Sequence, residues 1–182
     1  MQLHFYFDQS RCIGCQTCVV SCKDWNDVPA GKVAWLRKKT VERGEFPRVS
    51  VTFLHFTCFH CAQPPCIPAC PTSALDKREK DGIVVIHPDR CLPNCQACLR
   101  ACPYQAPQFP EGDAPMEKCH FCLERIEAGH HPVCVDSCPQ RALDYGAKET
   151  LLFKYPLAVP WVEGDPDPAA AQPSFLMKKS TR

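Results

Sequence analysis

The chain has 182 residues, a formal net charge of +1, sixteen cysteines and nineteen prolines. Such a length makes one ordinary domain or two very small ones, with only a modest core to bury. Near-neutral charge carries no nucleic-acid footprint, and the short cluster Arg37, Lys38, Lys39 reads as a solvated strand face.

In chain order, "MQLHFYFDQS" offers neither a basic n-region with an apolar h-region nor a twin-arginine pair, so no signal peptide is expected. A first cysteine quartet follows at Cys12, Cys15, Cys18 and Cys22. Residues 23 to 57 change character: "KVAWLRKKTV" and "RVSVTFLHFT" read as two strands around the turn "ERGEF", with alternation clearest through Val49, Val51 and Phe53. The hairpin is expected to pack over the module that holds the first quartet. Next come Cys58, Cys61, Cys66 and Cys70, then "PTSALDKREKDGIVVIHPDR", which reads as a short helix, a turn at Asp81-Gly82 and a strand over Ile83 to Ile86. A third quartet, Cys91, Cys95, Cys98, Cys102, and a fourth, Cys119, Cys122, Cys134, Cys138, complete the set. Beyond Leu143 the chain turns Pro- and Ala-rich, and "EGDPDPAAAQPSFLMKKSTR" has no periodicity, which predicts a tail, loose or laid along a partner. Apolar stretches such as "YPLAVPWV" fall far short of the roughly 20 residues of a membrane span.

Bunched cysteines make poor structural cross-links, because disulfides between thiols so close together restrict the unfolded chain very little. Metal or cluster ligation is the better account. Zinc is the inorganic rival, but zinc knuckles contribute two ligands each, whereas "CIGCQTC" offers three thiols from one loop. Three such thiols suit the separated iron corners of a [4Fe-4S] cube, whose soft iron-sulfide matches soft thiolate. Each quartet closes with C-x3-C, and Cys70, Cys102 and Cys138 are each followed by proline, as in the run used by bacterial two-cluster ferredoxins. Repeats support duplication: "CPTSALDK" is echoed by "CPQRALDY", and "DQSRCIGCQTCVVSC" by "HPDRCLPNCQACLRAC". Quartets two and three, joined by a ferredoxin-like half-unit, are expected to form one module, leaving one and four for the other. His60, His120 and the pair His130-His131 read as loop or surface residues rather than ligands, and Trp25 and Trp35 as packing. No thiol is left over for nucleophilic catalysis, and no phosphate-binding loop or catalytic elbow is present in the sequence.

The quartets, their order, the hairpin and the segment "DGIVVIHPDRC" resemble, over residues 4 to 148, the four-cluster iron-sulfur subunits of the dimethyl sulfoxide reductase family, the complex iron-sulfur molybdoenzymes. The resemblance implies an α+β fold of two nested bacterial-ferredoxin-like 2[4Fe-4S] modules, with a β-hairpin insert and an irregular C-terminal tail. The expected boundaries are 1–57 with 103–150 for the first module, 58–102 for the second, and 151–182 for the tail. It further implies four [4Fe-4S] clusters with swapped fourth ligands: Cys12, Cys15, Cys18 and Cys138; Cys58, Cys61, Cys66 and Cys102; Cys91, Cys95, Cys98 and Cys70; Cys119, Cys122, Cys134 and Cys22. One departure from the family pattern is "CLPNC", a C-x3-C where C-x2-C is usual, whose spare residue either bulges outward or shifts that cluster's potential.

The implied role is non-catalytic: a relay of single electrons between a molybdenum or tungsten bis-pterin catalytic subunit and a membrane anchor or other redox partner. The expected location is cytoplasmic or peripheral to the membrane, with export alongside a signal-bearing partner left open. Two alternatives remain open. One is a polyferredoxin subunit of another oxidoreductase, such as a tungsten aldehyde oxidoreductase or a hydrogenase; the other is a zinc-stapled structural module.

Overall fold

The structure, a computed structural model, describes residues 1–160 and 171–180. Its organising element is strand β1, Leu3–Asp8, whose aromatic run favours an extended backbone. Strand β6, Leu143–Ala147, pairs antiparallel on one side, with Phe7 opposite Leu143. Strand β7, Phe175–Lys178, pairs parallel on the other, with Phe5 opposite Phe175. Alternation along β1 sends Phe5 and Phe7 into the main core and Tyr6 into a second cluster with Leu151, Ala158 and Leu176. Helix α5, Lys148–Lys154, covers that second face through Leu151.

The C-terminal region is therefore corrected. Instead of an irregular tail, residues 148–154 are helical and 175–178 form a strand of the central sheet. Phe175, Leu176 and Met177 are all buried, and three consecutive buried side chains require cover on both faces of a strand: the main core receives Phe175 and Met177, and the cluster under α5 receives Leu176. Residues 161–170 of the expected tail lie outside the described residues.

Strands β2, Arg37–Arg43, and β3, Ser50–Phe56, pair antiparallel with Arg37 opposite Phe56. The Phe53 ring lies so close to Gly14 (φ 69°) that a Cβ there would overlap it, which fixes this hairpin over the first cysteine loop. The basic cluster is not simply solvated. Arg37 donates to the Tyr104 and Gln105 carbonyls at 3.0 and 2.8 Å, and the Lys38 Nζ lies 4.0 Å from the Phe7 ring centroid. Lys39 alone of the three is exposed.

A second correction concerns residues 71–77. The expected short helix is a turn followed by strand β4, Leu75–Lys77, paired antiparallel with β5, Val84–Ile86. Leu75 and Val84 are buried in a third cluster with Cys98 and Met116, and the pairing of Leu75 with Ile86 outweighs local helix propensity. The main core itself is shared widely, running from Phe5 and Phe7 through Cys18, Cys22 and Phe121 to Phe59, Cys61 and Ile83.

Candidate functional site

Short helices carry the cysteines. Helix α1, Thr17–Trp25, holds Cys18 and Cys22; α2, Ala97–Ala101, holds Cys98; α3, Leu123–Glu127, starts after Cys122; and α4, Val133–Asp136, holds Cys134. Gln16 and Gln96, each directly before its helix, adopt φ values of 62° and 53°. Such left-handed residues turn the chain sharply enough for consecutive thiols to face inward.

A local device repeats where the chain reads C-P-x-x-A. Ala74, Ala106 and Ala142 donate their backbone N–H to Cys70, Cys102 and Cys138 Sγ at 3.3, 3.5 and 3.3 Å. In each case the preceding residue, Ser73, Gln105 or Arg141, has φ near 50°, which swings the next amide onto sulfur. The first quartet lacks the proline, and there the Asn26 side chain takes over, with Nδ2 at 3.7 Å from Cys22 Sγ. Met116 and Phe121 add N–H contacts of 3.4 Å to Cys91 and Cys119. These donors escaped the sequence reading, although the echo of "CPTSALDK" in "CPQRALDY" was their visible trace.

The thiols gather across quartets. Cys12, Cys15, Cys18 and Cys138 line one cavity, beside Ile13, Lys38 and Leu143. Cys58, Cys61, Cys66 and Cys102 line another, with Phe59, Val84, Tyr104 and Lys118. Cys70, Cys91, Cys95 and Cys98 surround a third, with Leu92 and Phe109. Cys22, Cys119, Cys122 and Cys134 are mutual neighbours: burial pushes the Cys134 thiol well up, and Cys119, Cys122 and Cys22 push it further. In the C-x3-C loop, Leu92, Pro93 and Asn94 are all exposed, so the spare residue bulges towards solvent.

Crowding is strongest among the most buried thiols. All sixteen thiols are free. Burial, then the neighbouring thiols Cys58 and Cys122, push Cys119 up to about 12, and burial with Cys58 and Cys102 pushes Cys61 up to about 12. Bare thiolates crowded in this way repel each other, and cationic iron is what relieves the repulsion. Among the described residues no three or more His, Cys, Asp or Glu side chains converge on a point as one ion would demand. The sulfurs instead stand around three shared cavities, each lined by four of them.

Of the other residues singled out from the sequence, His60, His120 and Trp35 are buried or part-buried, whereas Trp25, expected to pack, is 48% exposed. His60 is fully buried, accepts the Val84 N–H on Nδ1 at 3.0 Å, and is held neutral by burial and by the Lys118 charge. His120 sits edge-on to Trp35, whose Nε1 donates to Glu117 at 3.0 Å. His130 and His131 are exposed, with His131 Nδ1 at 3.1 Å from Asp136, and Arg125 lies over the Trp25 ring at 4.6 Å.

A family model described as a 4Fe-4S dicluster domain matches residues 49–148, and a second with the same description matches residues 11–74. The B subunit of the anaerobic dimethyl sulfoxide reductase of Escherichia coli (strain K12) is 40% identical over 162 residues, covering 85% of this chain and 78% of the relative. The Haemophilus influenzae B subunit is 37% identical over 163 residues, with the same coverages of 85% and 78%. Protein NrfC of E. coli (strain K12) is 39% identical over 140 residues, covering 76% and 62%. Two dicluster matches amount to four [4Fe-4S] clusters, and the sixteen cysteines supply four thiols for each. The protein belongs to the 4Fe-4S dicluster family and, within it, to the iron-sulfur electron-transfer subunits represented by the B subunit of dimethyl sulfoxide reductase.

Proposed function

We propose that this chain is the non-catalytic relay of a larger oxidoreductase, passing single electrons along four clusters between a molybdenum or tungsten bis-pterin catalytic subunit and a membrane anchor or other redox partner. The names of the B-subunit relatives, which place those proteins in anaerobic dimethyl sulfoxide reductases, favour this partner over a hydrogenase or an aldehyde oxidoreductase. The observation that carries the reading is the pooling of thiols across quartets. Each cavity that could house a cube takes three cysteines from one loop and the fourth from another.

The proposed ligand sets are Cys12, Cys15, Cys18 with Cys138; Cys58, Cys61, Cys66 with Cys102; Cys91, Cys95, Cys98 with Cys70; and Cys119, Cys122, Cys134 with Cys22. Residues 58–102 then make one ferredoxin-like module, and 1–57 with 103–150 the other. When bound, the clusters supply reversible one-electron chemistry. The protein's share is to hold them close together, donate N–H groups to sulfur and exclude water with residues such as Phe59, Phe121 and Val135.

Mutual influence among thiols supports an order along the row. Cys18 acts on Cys22, Cys58 acts on Cys119, and Cys98 acts on Cys66. The sequence of sites is therefore the Cys12 group, the Cys119 group, the Cys58 group and the Cys91 group. Ile13 and Val20 near one end and Leu92 near the other are exposed, so each terminal site has an apolar rim for a partner. Among the described residues no helix is long and apolar enough to cross a membrane. A location on the membrane through a partner, in the cytoplasm or after export with a signal-bearing subunit, fits this reading.

Purification under anaerobic conditions with the chains that accompany it tests the proposal. The expected product is brown, carries about four irons per cysteine quartet with matching acid-labile sulfide, and brings a pterin-containing molybdenum or tungsten chain. A colourless zinc protein, or a hydrogenase as partner, would replace it.

A further inference from the structure

Lys118 is only 3% exposed. It lines the cavity formed by Cys58, Cys61, Cys66 and Cys102, and its Nζ donates to the Val84 and Cys119 carbonyls. The same Val84 gives its N–H to His60 Nδ1, so both polar groups of one residue in β5 hold His60 and Lys118 side by side. His60 brings no negative charge. Among the described residues, no carboxylate comes within ion-pairing distance of the Lys118 ammonium. A buried charge with only carbonyl dipoles for company is costly, and it persists where a compensating anion stands next to it. The anionic groups that share its cavity are the thiolates of the second quartet.

We infer that Lys118 is the counter-ion of the cluster bound by Cys58, Cys61, Cys66 and Cys102, and that its fixed charge makes that cluster easier to reduce. The inference rests on the ligand set proposed above. Each reduction, with an electron delivered by a neighbouring cluster or a redox partner, adds one negative charge to the thiolate-bound core. A cation held out of solvent therefore favours the reduced form more than the oxidised one. Two further cations flank this site. Lys77 donates to the Cys61 and Ala62 carbonyls at 2.7 and 2.9 Å, and Arg37 is close enough to Cys102 to be influenced by it. Both are more exposed than Lys118 and more screened by water. Among the described residues, no lysine or arginine lines the cavity of Cys70, Cys91, Cys95 and Cys98. Charge placement thus distinguishes two adjacent sites whose thiol ligation is the same.

The test is an EPR-monitored redox titration of the full, anaerobically prepared chain, comparing wild type with Lys118→Met, Lys118→Arg and Lys77→Met. Cys58→Ser identifies the signal that belongs to this site by removing it. In Lys118→Met that same signal should move to lower potential by at least about tenfold in the one-electron equilibrium, about 59 mV, while the others move less. Lys118→Arg should keep the wild-type midpoint, and Lys77→Met should shift it less than Lys118→Met. If Lys118→Met loads about four irons fewer than wild type while Lys118→Arg loads fully, the counter-ion is needed to hold the cluster, and the inference stands. It falls if fully loaded Lys118→Met leaves that midpoint unchanged, if a different signal moves, or if Arg and Met variants shift or lose the cluster alike. Failure of the underlying ligand assignment looks different, because it appears in unsubstituted protein as an incomplete iron complement, or in Cys58→Ser as retention of all signals.

Discussion

Phe5 and Phe121 stack with ring centroids 4.1 Å apart and planes 18° apart. One belongs to the central strand β1 and the other lies between Cys119 and Cys122, so the contact seats a cysteine loop directly on the sheet. Phe121 also meets His60 and Tyr145 edge-on, at 5.3 and 5.9 Å. Truncation by Phe121→Ala should cost about 3–5 kcal/mol, the range for a buried aromatic, and should loosen the Cys119 site first. Thermal unfolding together with iron analysis under mild chelation would measure both effects. A stable variant that keeps its iron as well as wild type does would show that the stack is incidental.

Cys22→Ser discriminates between swapped and local ligation. Cys22 sits among Cys119, Cys122 and Cys134, so its loss should disturb that site and leave the one lined by Cys12, Cys15, Cys18 and Cys138 intact. The expected product has about twelve irons in place of about sixteen, or a three-iron cluster at the altered site. EPR of this variant beside Cys138→Ser would show different signals lost, although each substitution removes a cysteine that closes a C-x3-C.

The C-terminal strand holds more than the sheet edge. Ala62 and Gln63 donate to the Gln172 and Ala171 carbonyls at 2.8 and 3.2 Å, and Ser174 donates its N–H to the Phe59 carbonyl at 3.0 Å and its hydroxyl to the His60 carbonyl at 2.9 Å. These bonds clamp the Cys58 loop. Ending the chain at residue 170 should therefore lower the melting temperature and speed iron loss from the Cys58 site relative to the Cys91 site. Leu176→Ala, at a position with no exposed surface, should cost about 2–5 kcal/mol without releasing the loop bonds. Hydrogen exchange at Ala62 and Gln63 separates the two effects.

Asp144 predicts a pH dependence. Burial alone would raise its carboxyl, but hydrogen bonds from Lys154 at 2.8 Å and Tyr155 at 2.7 Å outweigh burial and hold it below the ordinary value of 3.8. A carboxyl depressed in the folded state stabilises the protein fully above its unfolded value, and that contribution fades as the pH falls through the folded one. Asp144→Asn should lower the melting temperature at pH 7, and the gap to wild type should shrink as the pH drops below about 3.8. A gap independent of pH would mean that the carboxylate charge contributes nothing here. Since Tyr155 also stacks on Tyr6 at 3.8 Å, the expected lesion is the seat of α5 on the central sheet.

Where local chemistry decides, the chain was legible. Four C-x3-C closures, three of them before proline, name the iron-sulfur chemistry because thiolate, spacing and the turn after it are all local properties. Alternation marks the strand β3 only in part: Val51 and Phe53 lie in it, but Val49 precedes it, and both valines are about half exposed. Legibility ends at residues whose role is set by distant neighbours. "LHFYFD" becomes the middle strand only because β6 and β7 arrive from the far end of the chain, and "ALDK" becomes β4 because Val84 to Ile86 lie alongside it.

By itself the sequence determined what the protein binds: sixteen thiols in four quartets, enough soft ligands for four cubes. Tertiary structure decided the rest. It drew the aperiodic segment "SFLMK" into the core beside Phe5 and Phe7, turned the spare residue of "CLPNC" outward, and buried Lys118 against the Cys58 group. The physical reason is range. A cysteine's affinity for iron lies in its own sulfur, whereas the burial of a strand or the field of an ammonium depends on groups that only the folded chain brings together.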